Sequence, residues 1–414
     1  MGQVPIVTIA VIGSGVSGLM AAYLLSRRYR VELFEAQMEL GGHVNTVDVD
    51  DPRAGRLAID TGFIVHNRPN YPNVVRLLEE LDVATQPSDM SFSVELPTDG
   101  FAYRAGNLRK QRQLIGHRSG RRLLAEIVRF LMVGRRDLAR GLGDLTLAAY
   151  ARRRGFSERF LRLYAVPMTA AIWSMPPAGA AEMPAQFVLR FFDNHGLLGL
   201  RRHRWRTIVG GGRRYVTALA ERLPGPIHLG RPVTAIRRDP TGATVTTAAG
   251  DDRFDAVVVA THGDQALRLL ADADELERSV LSAFRTTENR ATLHYDQALL
   301  PSRRSSWASW NVRAGDDSAP VLTYHANSLQ RLRAVREYCI TLNADELIDP
   351  TKVITRIDYR HPAYDADTID AQRRLPQLDG RKRTYFCGAY QGWGFHEDGA
   401  ASALRAVSGL GVRW

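Results

Sequence analysis

Residues 6–12 form an apolar run with Thr8 as its one polar member, the pattern of a strand buried on both faces of a parallel sheet. The run ends in Gly13-Ser14-Gly15-Val16-Ser17-Gly18. Beyond it Leu19, Ala22, Tyr23 and Leu25 recur at helical spacing as far as Arg27 and Arg28, and residues 30–34 make a second apolar strand that closes on Glu35. Strand, glycine turn, helix, strand and terminal acid, in that order, predict a dinucleotide site. Gly13 permits the tight turn, Gly15 lets the backbone approach a pyrophosphate, and Gly18 lets the helix pack closely on its strand. Val16 and Ser17 open that helix, whose first N–H groups face the phosphates. Glu35, followed by Ala36, accepts from the ribose hydroxyls.

Further on, residues 70–205 read as largely helical, with Val74, Leu77, Leu78 and Leu81 in one stripe, and residues 280–350 alternate as strands around 291–295, 321–324 and 338–342. Between these blocks a Gly210-Gly211-Gly212 turn leads to a helix over 215–223. Short strands are predicted at 227–229, 233–236, 244–247 and 255–260. Near the end, residues 384–389 read as a buried strand entering a turn, and residues 392–399 lead into a small-residue helix over 400–407. There is no internal repeat and no low-complexity linker.

Composition narrows the class. With 414 residues, 45% hydrophobic and 24% charged, the chain has an ordinary globular make-up and enough length for two or three domains. No apolar run reaches the roughly 18 residues of a membrane span, and no secretory signal precedes the first strand, so a cytoplasmic location is expected. Cys339 and Cys387, the only cysteines, give neither a disulfide framework nor a metal cluster. The net charge of +11 is carried by arginine, the lysines being Lys110, Lys352 and Lys382 alone. It is concentrated in Arg104, Arg109, Lys110, Arg112, Arg118, Arg121 and Arg122, just before an apolar stripe of Leu123, Leu124, Ile127, Val128, Phe130, Leu131 and Met132. That juxtaposition suits an interfacial helix on an anionic membrane, and no nucleic-acid motif accompanies the charge.

Gly41-Gly42 after Glu35, and Asp60-Thr61-Gly62-Phe63 beyond it, resemble the flavin-dependent amine oxidase, protoporphyrinogen oxidase and phytoene desaturase superfamily. The resemblance implies FAD as the dinucleotide. Relatives usually follow the glycine pair with an arginine; here His43 stands in its place. The resemblance also brings Val233 to the adenine, Gly388 to the turn beside the flavin, and Gly399 and Ala400 to the start of a helix under the flavin, where free N–H groups stabilise negative charge. Relatives often carry an acid where Ala389 stands. The implied fold is α/β (α+β overall): a discontinuous Rossmann-like FAD-binding domain of residues 1–66, 205–272 and 355–414, with an interleaved helical and antiparallel-sheet substrate domain of residues 67–204 and 273–354.

Residues 63–67, 71–73, 89–93, 307–311, 361–362 and 394–399 resemble one bacterial branch of that superfamily, called FAD-dependent oxidoreductase, whose members are often encoded beside cyclopropane fatty-acyl-phospholipid synthases or, in plants, fused to them. A fatty-acyl or phospholipid substrate and an acyl-modifying enzyme partner are what this implies. The residues agree in part. Many amine oxidases of the superfamily carry a lysine, bridged by water to the flavin N5, on the strand corresponding to residues 289–295, and no lysine lies there. No carboxylate cluster marks a polyamine site, whereas Phe130, Phe160, Ile172, Trp173, Phe187, Phe191 and Phe192 offer apolar surface. Flavin dehydrogenation needs hydride removal and loss of one proton. His396 is placed to act as base or orienter, or to hold its turn; Trp393, Phe395, His361 and Tyr364 are candidates for the substrate face. Three functions are open: an oxidase or desaturase of an apolar substrate, an amine oxidase, and an FAD-binding partner or scaffold of an acyl-modifying enzyme.

Overall fold

The computed structural model describes residues 7–97, 101–105, 118–199, 203–314 and 320–414. Five strands lie parallel in the order Ile227–His228, Arg30–Phe34, Thr8–Ile12, Ala256–Val259 and Thr384–Phe386. In the central strand Ile9 and Val11 pack on one side with the helices Val16–Leu25 and His396–Gly409. Ala10 and Ile12 pack on the other side with an antiparallel meander, Val233–Asp239, Gly242–Thr247 and Gly250–Phe254. Both faces are covered, which is why this strand shows no polar alternation. The third strand of the meander, rich in charge, is an addition to the sequence reading, which has only Gly250 there. Val16–Leu25 is apolar all round and buried except for Tyr23, as a helix held between a sheet and a second helix must be.

The second body is built on a seven-stranded sheet in the order Val353–Pro362, Thr286–His294, Cys339–Leu342, Val321–His325, Trp310–Arg313, Phe92–Leu96 and Phe101–Ala105. All its pairings are antiparallel except Trp310–Arg313 with Phe92–Leu96. Two differences from the sequence reading stand out. Residues 92–105, expected within a helical block, supply two strands, and their clue was the alternation of Phe92, Val94 and Leu96. The strand Val353–Pro362, assigned mostly to the FAD domain, pairs along its whole length with Thr286–His294. Helices from Arg118 to Asn194 cover the sheet, and their core centres on Phe130, fully buried among Tyr150, Phe156, Phe160, Tyr164 and Phe192.

The two bodies are tied at Asp60. Its buried carboxylate accepts from Thr46 Oγ1 at 2.6 Å, from the Gly212 N–H at 2.8 Å and from Gln330 Nε2 at 3.1 Å, and Gln330 belongs to the substrate side. Burial pushes the Asp60 carboxyl up to about 7, against the pull of Thr46, Gly212 and Arg213.

Candidate active site

The carboxyl ends of the parallel strands converge on one cavity of about 2350 Å³. That is more than twice the roughly 1,000 Å³ at the upper end of ordinary ligand pockets, so there is room for a dinucleotide and a substrate together. Gly13, with φ +100°, donates its N–H to Phe34 O at 2.8 Å and turns the chain. A Cβ on Gly15 would meet nothing within 4 Å, whereas one on Gly18 would lie 1.8 Å from Gly13 O. The first glycine therefore shapes the turn, the second opens to the cavity, and the third allows close packing without reaching the cavity wall. Val16, Ser17, Glu35 and Ala36 line the cavity beside Gly15. Glu35 accepts from Ser14 N at 2.8 Å, Ser14 Oγ at 2.5 Å and Gln37 N at 2.9 Å, which fixes the acid at the strand end. Gly41 and Gly42 have φ of +118° and +57°, and a Cβ on Gly42 would lie 3.2 Å from Gly15 Cα. The pair folds the following segment onto the turn and delivers His43 to the wall. Val233 lines the cavity as well.

The carboxyl-terminal helix corrects one expectation. It starts at His396, not at residue 400, because Phe395 is the extended residue before it and Asp398 caps it by accepting the Phe395 N–H at 2.9 Å. The Gly399 N–H is already bonded to Phe395 O at 3.1 Å. Thus the N–H groups outside the helical ladder are those of His396, Glu397 and Asp398. Gly399 serves packing instead, since its Cβ would run into Val16 and Ser17 at 2.7 and 2.9 Å, and Ala400 is fully buried in the same seam. Gly388 also lies behind the wall, its N–H donating to Ser402 Oγ at 2.9 Å, while Ala389 and Tyr390 form the surface there.

His396 stacks on Phe63 with ring centroids 3.7 Å apart, and its Nε2 is 2.5 Å from the Tyr215 hydroxyl. Burial, then the charge of His66, pushes the imidazole down to about 3, while burial holds the Tyr215 phenol well above its ordinary value. The phenol therefore donates and the imidazole accepts. His361 and Tyr364 line the cavity, and among the described residues neither His361 Nδ1 nor the Tyr364 hydroxyl has a hydrogen-bond partner, although both atoms are buried. Trp393 stands back from the lining: its carbonyl accepts from Trp173 Nε1 at 2.9 Å and its ring packs on Phe191.

Reading the sequence missed His262, Tyr359 and Tyr215. His43 lies with His361 at 5.2 Å, His262 at 5.5 Å and Tyr359 at 5.2 Å between ring centroids, a cluster facing the cavity. Burial first, and then mutual repulsion, lowers His43 well below its ordinary value and His361 to about 4, so these imidazoles are neutral at physiological pH. The signal for His262 was present in the chain, because it follows the strand Ala256–Val259 at a carboxyl end, where ligands of parallel sheets collect. Of the basic segment, Arg109, Lys110 and Arg112 lie outside the described residues; Arg118, Arg121 and Arg122 open the helix Arg118–Arg140.

A family model described as flavin containing amine oxidoreductase matches residues 16–410. The chain belongs to this family. As a flavin amine oxidoreductase it takes FAD, and the residues fit that cofactor: Gly15 leaves a cradle that any Cβ would enter, Glu35 is fixed at the strand end in the cavity wall, and His43, whose buried Nε2 has no partner among the described residues, lines the same cavity. Solved structures agree on the fold. A CLA-producing fatty acid isomerase from P. acnes is 15% identical with a TM-score of 0.67, covering 97% of each chain. Cyclohexylamine oxidase from Brevibacterium oxydans is 16% identical with a TM-score of 0.70, covering 98% of this chain and 99% of its own. No curated protein matches. Among the described residues no group of histidines, cysteines and acids could hold a metal ion, and no helix is long and apolar enough to cross a membrane.

Proposed function

We propose that this FAD-dependent oxidoreductase acts on an apolar acyl chain, of a fatty acid or a phospholipid, removing two hydrogens from adjacent carbons. The observation that carries this reading is the lining of the cavity away from the glycine turn, where Phe92, Leu131, Met168, Ile172 and Tyr324 give an apolar wall. A carboxylate free to pair with an ammonium group would favour an amine substrate. Beyond the 35–39 segment, the described lining holds Asp89 and Asp358, and both are occupied: Asp89 by Arg104 at 2.9 Å and Asp358 by Arg290 at 2.7 Å.

In the proposed reaction one C–H bond gives up a hydride and the neighbouring C–H gives up a proton as the C=C bond forms. FAD, when bound, supplies the two-electron acceptor. His361, which lines the cavity, takes the proton, and its neutrality leaves it able to do so. Tyr364, which lines the cavity, orients the substrate beside it. His396, held by Tyr215, keeps the helix start in place and moves no proton. The packed aromatic wall of Trp173, Phe191 and Phe395 excludes water. The test is the anaerobic flavin spectrum titrated with fatty acids, phospholipids, monoamines and polyamines. Bleaching by an acyl compound and by no amine is expected; bleaching by an amine alone would overturn the substrate assignment.

A further inference from the structure

The helix Arg118–Arg140 forms the lip of the cavity. One flank, carrying Leu123, Phe130 and Asp137, is buried in the substrate domain, and the next flank, carrying Leu124, Ile127 and Leu131, lines the cavity. Turning outward from that lip, Val128 and Met132 are 46% and 66% exposed. Beyond them Arg118, Arg122, Arg129, Arg136 and Arg140 are all exposed and recur at steps of four, seven, seven and four residues, which at about 3.6 residues per turn is a single stripe. The two acids of the helix are turned inward: Glu126 accepts from Ser157 N and Oγ at 2.8 Å, and Asp137 holds Tyr150 and Arg154. No carboxylate of this helix therefore faces outward beside the arginines. Arg129 partly serves the fold, reaching the carbonyls of Arg154 and Gly155.

We infer that this face docks on an anionic lipid bilayer, with the arginine stripe on the headgroups, Val128 and Met132 dipping below them, and the cavity lip opening toward the acyl chains. An apolar edge flanked by cations is the arrangement of a helix lying in the interface plane. The surface is continuous with the cavity it would feed. Only the transfer of an acyl chain rests on the proposed substrate; docking itself does not. Each arginine near such a surface is worth roughly a fivefold gain in partitioning, screened by salt.

The test is sedimentation of the holoenzyme with phosphatidylglycerol vesicles and with phosphatidylcholine vesicles, at low and high salt. Binding to the first at low salt, lost at high salt, is expected, and the triple variant Arg122→Glu, Arg136→Glu, Arg140→Glu should weaken it by at least about 100-fold. None of these three lines the cavity, so the variant should still bleach its flavin with a soluble fatty acid as the wild type does. Met132→Gln, which removes apolar surface without changing the charge, should weaken vesicle binding and leave binding to soluble heparin unchanged. Failure of the wild type to sediment with anionic vesicles at low salt, or equal sedimentation of the triple variant, would overturn the inference. Equal vesicle binding by Met132→Gln would overturn it too, leaving a general polyanion surface. Intact docking with no acyl bleaching would instead sink the substrate assignment alone.

Discussion

Replacing Gly15 with valine separates cofactor binding from folding. The residue has φ −63° and ψ 178°, a conformation open to any L-residue, and its Cβ would meet nothing within 4 Å. The folded protein without cofactor should therefore accept the change, with a small gain of about 0.4–1 kcal/mol from the less flexible unfolded chain. The added methyl groups occupy the approach of the pyrophosphate to the helix start. Losing one or two charge-assisted hydrogen bonds there, at about 1.5–3 kcal/mol each, raises the Kd for FAD roughly 10- to 10⁴-fold. FAD at about 1,000 times Kd stabilises a protein by about 4.1 kcal/mol; a 100-fold weaker site under the same conditions retains about 1.4 kcal/mol. Gly18→Ala should behave oppositely, because its Cβ would lie 1.8 Å from the backbone oxygen of Gly13 and something must shift. The assay is FAD stoichiometry by absorbance beside thermal melts with and without added FAD. A Gly15→Val protein that holds stoichiometric FAD with unchanged affinity, or one that melts far below the wild-type apoprotein, would refute the assignment of this glycine.

Four further outcomes are expected. Arg238→Met should destabilise by about 3–5 kcal/mol in denaturant melts, since it strands the buried Glu277 carboxylate now held at 2.5 and 2.8 Å. Phe130→Ala should cost about 3–5 kcal/mol by the same measurement, because a fully buried ring at the centre of five aromatic neighbours leaves a cavity. Asp60 has a folded pKa of about 7, above the ordinary 3.8, so its contribution is fully present below about 3.8 and is lost as pH rises through about 7; the stability difference between wild type and Asp60→Asn should shift against the wild type over that window. His361→Gln should slow anaerobic flavin reduction about 10²- to 10⁴-fold with little change in substrate affinity, and the wild-type rate should stay flat from neutral pH downward until it falls near the His361 pKa of about 4.

Local chemistry made the dinucleotide half of the site readable in the chain. A glycine turn must sit between a buried strand and a helix, and an acid must end the next strand, so Gly13, Gly15, Gly18 and Glu35 could be placed from spacing alone. Where position depends on a helix boundary the reading slipped: the first turn His396-Glu397-Asp398 looks like loop because its residues are polar, yet Asp398 is the cap that starts the helix four residues early. The histidine cluster was hidden for another reason. His43, His262 and His361 come from three separate segments, and only the pairing of Val353–Pro362 with Thr286–His294, together with the turn after Ala256–Val259, brings them within 5.2 to 5.5 Å. The strands at 92–105 were masked by their helical surroundings, since five-residue runs carry a weak periodic signal beside long amphipathic helices.

The central claim, oxidation of an acyl chain by bound FAD, is tested most directly by the mass of the chain recovered from a single anaerobic turnover, measured beside the extent of flavin reduction. Loss of two hydrogens from one acyl chain for each flavin reduced is the expected result. Recovery of the acyl chain at unchanged mass, whether untouched or with a double bond merely shifted, would contradict it.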